Sequence, residues 1–453
     1  MKSGARYASL ERRVFLKSGL TLSGALVLGC ASNEASTFDG GPGGSGGSDS
    51  GAGAGGTGGG LGTGGAGGTS LDAGAPSPPD SPIDDGRAGD CSDPFRGGAM
   101  MGVVPFVNEG QPTFGRETGS GFGGRLFTDL TRVTPDNPTT PTSDFYIRTS
   151  RPDGAYQTLL TKPWSITVAG LTSAGGMLAA EQLAAMARPM GTVVMECSGN
   201  YARNDGGFGL LSSAAWTGIP LMELVMMARP TAQATRVLVG GYDEHDGPLG
   251  ISKPGASWIF SFQDLQETGA FLATQMNGAP LPQAHGFPIR LVVPGWFGCS
   301  CIKWVNEIRF VDDSEPVTAQ MDEFASRTHQ VGMPKLAKDF APARIQQAAM
   351  PIRVERWSVQ GSALYKIAGI MWGGRVATDK LQIKIGAADW ENVAVCPAQT
   401  QNKQWTLWSH PWRPSTAGTF ALRMRVDDPA IPQARLANGT GTFKDWYLRE
   451  VAV

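Results

Sequence analysis

Val193-Val194-Met195-Glu196-Cys197-Ser198-Gly199-Asn200 sets a valine-rich apolar run against a turn of small polar residues. Such a run, closed by Ser-Gly-Asn, reads as a buried strand, so Cys197 is delivered at the strand's carboxyl end. A thiolate there is a soft ligand for a thiophilic transition metal, held on rigid backbone. By residue type alone, Cys197 reads first as a buried structural cysteine, with a nucleophile served by a nearby histidine as the other alternative. The small residues Ser198, Gly199 and Asn200 favour the ligand, because they let backbone approach a bulky group.

Two further strings carry chemistry. Met276-Asn277-Gly278-Ala279-Pro280-Leu281-Pro282 leads into His285-Gly286-Phe287-Pro288-Ile289-Arg290 and then Cys299-Ser300-Cys301-Ile302-Lys303-Trp304. A guanidinium fork at Arg290 and an ammonium point charge at Lys303 suit a phosphate dianion. Pro294-Gly295 and Gly298 would keep the intervening loop tight enough for backbone N–H groups to join them. Taken singly, His285 would be a turn residue and Lys303 a solvated edge; the ordered string is the specific signal. The other string is Phe145-Tyr146-Ile147-Arg148-Thr149-Ser150, preceded by Arg132-Val133-Thr134-Pro135.

Together with Ser212-Ser213-Ala214-Ala215-Trp216-Thr217-Gly218, these strings resemble the molybdenum-cofactor domain of the sulfite oxidase family, over roughly Thr131 to Val453. The resemblance implies an α+β fold: a mixed α/β molybdopterin domain followed by an all-β, Ig-like sandwich that pairs two copies as a homodimer. It implies molybdenum-molybdopterin as cofactor, with Cys197 as metal ligand, and oxygen-atom transfer at sulfur as the reaction. Arg148 and Arg203 would hold a small oxyanion or sulfur-oxide substrate. Ile147, Thr149, Ser150, His285, Arg290, Cys301 and Lys303 would contact the cofactor.

The chain departs from the family where the substrate binds. Thr149-Ser150 replaces the customary Asn-His, and Tyr201-Ala202 stands where arginines often follow Gly-Asn. For the pocket tyrosine expected before Met276, the nearest candidates are Trp258 and Tyr242. Sulfite oxidation therefore stands beside reduction of a sulfoxide on the same fold, and beside a non-catalytic surface lipoprotein that binds without reacting.

Composition narrows the partners. Among 453 residues, 38 Lys plus Arg against 40 Asp plus Glu leave a formal charge of -2, so no basic field attracts nucleic acid. The sequence has no Cys-x-x-Cys-His and no Gly-x-Gly-x-x-Gly leading a βαβ unit, so neither haem nor a nicotinamide site is expected. Electrons would leave to an external acceptor such as a cytochrome c.

The organisation reads as five segments. Residues 1–30 hold Arg12-Arg13 before a short apolar stretch, which resembles a twin-arginine export signal. That route carries folded proteins, as a cofactor inserted in the cytoplasm requires. Val27-Leu28-Gly29-Cys30 resembles a lipobox, so the exported chain would be periplasmic or held at a membrane by lipid on Cys30; plain cleavage elsewhere is the alternative. Residues 31–93 are Gly- and Ser-rich and cannot bury a core; as a tether of about 60 residues they would reach about 45 Å. The molybdopterin domain is expected at 94–316, a connector at 317–350 and the sandwich at 351–453.

Within these, Met177–Met186 is expected as a helix, Pro220–Ala228 as another, and the short alternating runs after Ile352 as strands. With Cys30 and Cys197 assigned, Cys91, Cys299, Cys301 and Cys396 remain. A bond between Cys299 and Cys301 would be strained. A disulfide from one of them to Cys396 is the expectation.

Overall fold

The strand that carries Cys197 is Arg188–Glu196, and it pairs antiparallel with Leu211–Pro220 throughout, Glu196 opposite Leu211. The computed structural model describes residues 93–109, 114–119, 123–149, 154–200, 208–243, 255–395, 402–431 and 447–453. The expected signal, most of the tether, Cys30, Cys91, Ser150, Arg203 and Cys396 lie outside them.

Val193 to Glu196 are buried on both faces, which explains the unbroken apolar run in place of alternation. Leu211–Pro220 passes the sheet on to Phe271–Met276, which also takes Arg290–Val292 and the short Ala279–Pro280. A second five-stranded sheet runs Ser257–Ser261, Arg236–Gly241, Val305–Val311, Ser165–Gly170, Gly176–Ala179. It is mixed, since Val305–Val311 runs parallel to Ser165–Gly170. Helices are short: Leu221–Ala228 follows Pro220 directly, and Phe262–Thr268 opens on a capping box in which Ser261 and Asp264 bond reciprocally.

The carboxyl-terminal part is β-rich. One sheet orders Ala99–Val104, Ala348–Val359, Ser362–Trp372 and Thr406–Trp412; the other orders Glu391–Val393, Leu381–Ile385, Thr419–Val426, Arg449–Ala452 and Phe106–Val107. Val354 and Ile367 of the first share a buried cluster with Ile383, Leu422 and Met424 of the second, as in a sandwich. The chain is thus α+β with a β-rich end, as the sequence implied.

Two expectations are corrected. Met177–Met186 is not one helix: Gly176–Ala179 is an edge strand on Ser165–Gly170, and only Ala180–Ala185 is helical. Gly176 at φ 149° favours the extended start, and strand pairing outweighs the local helix preference. The segment from 94 belongs in part to the sandwich, because Ala99–Val104 and Phe106–Val107 each complete one of its sheets. The main core likewise crosses the expected boundary: Met350, Trp372, Trp405 and Tyr447 join the cluster built around Leu211, Leu272 and Val305.

Candidate active site

Cys197 follows its strand directly, and the turn after it is closed by hydrogen bonds at each step. Its N–H donates to Leu210 O at 3.0 Å, and its carbonyl accepts from Asn200 N at 2.9 Å. Gly199 N–H donates to Cys197 Sγ at 3.4 Å. Burial pushes the thiol's pKa up, against that N–H and the charges of Arg148 and Arg327. A coordinated metal reverses such a shift, since a ligating thiol is deprotonated outright.

The thiol lines an open cleft. Eight of the ten residues singled out from the sequence share this lining: Cys197, Ile147, Arg148, Thr149, His285, Arg290, Cys301 and Lys303. Ser150 and Arg203, the other two, lie outside the described residues.

Arg290 sits on the buried strand Arg290–Val292 with 4% of its surface exposed. Its guanidinium reaches only uncharged acceptors: His285 O at 3.2 Å, Cys301 O at 3.4 Å and the Met195 sulfur at 3.3 Å. Its Nε is buried with no partner. Lys303 Nζ donates to the carbonyls of Thr149 and, at 3.0 Å, Ala284, and lies 4.3 Å from the Trp304 ring centroid. Among the described residues neither cation forms an ion pair. Burial, then the neighbouring Arg290 charge, pushes Lys303 down to about 7. His285 is driven to about 3 by burial and by both cations, so its imidazole is neutral at physiological pH.

Arg148 stands directly opposite Arg125 in the ladder between Ile147–Arg148 and Arg125–Leu126. Burial first, then Arg125, lowers its pKa. Thr149 takes a left-handed backbone at φ 70°, which a β-branched residue adopts only when its surroundings impose it. That conformation offers its carbonyl to Lys303.

The pocket also contains residues the sequence left aside. Tyr146, inside the quoted arginine string but given no role there, is the aromatic hydroxyl in the lining, whereas Trp258 is core against Phe340 and Tyr242 stacks on Tyr156. Gln320 and Phe324, one turn apart on the Ala319–Phe324 helix, come from what read as a connector. Gln320 donates to Cys299 O at 2.5 Å, and its buried Oε1 has no partner. Cys299 and Cys301 are buried free thiols in the same lining; neither forms a disulfide among the described residues.

A molybdopterin fits what is present. The cleft lining holds the thiols of Cys197, Cys299 and Cys301 together with the buried Arg290 and the half-buried Lys303, neither cation in an ion pair among the described residues. A buried guanidinium with an orphan N–H is a costly group unless an anion completes it. Among the described residues no group of three or more His, Cys, Asp or Glu converges as a cation site.

Fold and site define a molybdopterin-binding oxidoreductase domain of the sulfite oxidase family. Residues 154–318 match the family model described as oxidoreductase molybdopterin binding domain. Mitochondrial sulfite oxidase of Mus musculus is 26% identical over 239 residues, covering 48% of this chain and 43% of that protein. The protein-methionine-sulfoxide reductase catalytic subunit MsrP of Xanthomonas campestris is 30% identical over 207 residues, covering 45% of this chain and 61% of that protein. The chain thus matches less than two thirds of the length of either relative. The sulfane dehydrogenase SoxCD of Paracoccus pantotrophus shares the fold, with a TM-score of 0.54 at 18% identity, over 70% of this chain and 78% of that one.

Proposed function

We propose that this chain is an exported molybdopterin-dependent oxidoreductase that transfers an oxygen atom at sulfur, oxidising sulfite or a related sulfur compound. The supporting observation is the cleft in which the Cys197 thiol shares walls with buried Arg290 and half-buried Lys303, two cations without ion pairs among the described residues. When bound, the molybdenum group supplies the oxygen atom and takes up the two electrons.

The chain's own residues do the rest. Cys197 holds the metal. Arg290 and Lys303 grip the pterin phosphate, with neutral His285, Ile147, Thr149, Ser150 and Cys301 along the pterin. Arg148 would hold the substrate anion, joined by Arg203. Electrons pass on singly to a separate acceptor such as a cytochrome c. The twin-arginine signal, lipid on Cys30, a periplasmic or membrane-anchored location and a homodimer through the sandwich belong to the same proposal. No described helix is long and apolar enough to cross a membrane.

A second reading, sulfoxide reduction, draws on the lining near Cys197. Among the described residues uncharged Gln320 and apolar Phe324 share the lining with Arg148, while Arg125 and Arg327 act on Arg148 from nearby.

The test is metal analysis of the purified exported protein, followed by turnover of sulfite and of sulfoxides with dye partners. Stoichiometric molybdenum that disappears in Cys197→Ser, with the circular dichroism unchanged, supports either enzyme. A folded, metal-free wild type leaves only a binding module.

A further inference from the structure

The turn that presents Cys197 rests on a carboxylate that the mechanism above does not use. Glu196 has 0% of its surface exposed. Its Oε1 accepts from the Tyr447 hydroxyl at 2.6 Å and from Asn200 Nδ2 at 3.3 Å, and its Oε2 accepts from the Trp372 indole N–H at 2.9 Å. Asn200, also fully buried, passes this constraint on. Its Oδ1 accepts from Leu210 N at 3.2 Å, and its own N–H donates to Cys197 O at 2.9 Å. Leu210 O in turn accepts from Cys197 N. Both backbone polar groups of Cys197 are therefore fixed by residues that the Glu196 carboxylate or its neighbour Asn200 orders.

Two of the three donors come from the β-rich part. Trp372 ends the Ser362–Trp372 strand, and Tyr447 lies edge-on to it at 5.0 Å between ring centroids. Tyr447 also packs on Phe208, just before Leu210, at 5.4 Å. Withdrawing a carboxylate from water costs several kcal/mol even after relaxation, and removing one partner of such a set costs about as much again. Apolar residues would fill this space at less cost, so a reason for the carboxylate is needed. Its position next to the thiol supplies one.

We propose that Glu196, Tyr447 and Trp372 are a positioning set for Cys197. The β-rich part is thereby a component of the metal centre as well as an oligomerisation module. Hydrogen bonds around a ligand fix its orientation and tune the metal it holds. The proposal rests on the reading of Cys197 as the metal ligand, and the experiment separates the two.

In the metal-loaded protein, Tyr447→Phe and Glu196→Gln should retain molybdenum. Both should shift the thiolate-to-metal charge-transfer band and the midpoint potential. In the same chain freed of cofactor, both variants should speed alkylation of Cys197, scored by peptide mapping, by about tenfold, the worth of one lost hydrogen bond. Cys299 and Cys301 should label at the wild-type rate. A merely structural role would loosen all three thiols together, and that result, or an unchanged Cys197 rate with an unshifted band, overturns the proposal. A wild type without metal defeats the functional reading alone, because the alkylation comparison still decides the positioning set.

Discussion

Arg290 directs its Nη2 at the sulfur of Met195, 3.3 Å away, where a carboxylate would be the ordinary partner. Among the described residues no carboxylate meets this guanidinium. Replacing a buried, unpaired charge by an apolar side chain of similar length is neutral or stabilising, by about 1–4 kcal/mol. Arg290→Met should therefore raise the unfolding temperature of cofactor-free protein, while the retained cofactor falls steeply. Thermal unfolding and phosphate-to-protein ratios check both halves. Arg290→Lys should retain less cofactor than wild type, for want of the planar fork.

Lys303 gives a pH signature. Its folded pKa of about 7 lies below the unfolded value, ordinarily about 10.4, so the unfolded chain binds more protons between the two. Stability of the cofactor-free protein should rise with pH across that window, and the full penalty should apply below about 7. Phosphate binding requires the ammonium, so it should weaken as pH climbs through the same value. Unfolding midpoints and inorganic phosphate affinity across this range test both signs, and Lys303→Met should flatten both curves.

Gly298 is fixed by a close approach. A Cβ there would meet the Tyr146 hydroxyl at 2.5 Å, with Glu196 O at 3.4 Å behind it. Gly298→Ala should cost about 1–3 kcal/mol, the usual penalty for overpacking. Most of it should return in the double variant with Tyr146→Phe, which removes the oxygen. A denaturant double-mutant cycle measures the coupling.

Gln320 offers a buried acceptor with no partner, and a substrate or product bearing a proton on oxygen or nitrogen would satisfy it. Gln320→Leu should raise KM by about tenfold and leave molybdenum content unchanged, since about one hydrogen bond is lost. A KM at the wild-type level would remove Gln320 from the substrate's surroundings.

Much of this was legible in the chain. Leu381–Ile385 alternates buried and half-buried as its sequence alternates Leu, Ile and polar residues, and the strand after Lys380 was expected for that reason. The eight described pocket residues were found because three short strings each carry chemistry in a fixed order. The rest was hidden by distance or by competition. Two partners of Glu196, Trp372 and Tyr447, lie 176 and 251 residues away, beyond any local pattern. Gln320 and Phe324 hid in a polar stretch whose helix face only the fold reveals. Met177 satisfies a helical pattern, yet it sits 70% exposed on an edge strand that Gly176 begins.

The pairing of Ala99 with Ser358 and of Phe106 with Val451 has a consequence for biosynthesis. On the ribosome, the first strands emerge long before their neighbours exist. Tyr447, which closes on Glu196, comes 251 residues after it in the chain. The surroundings of Cys197 are therefore complete only once Tyr447 has left the ribosome, so a prosthetic group that needs them is loaded after that point.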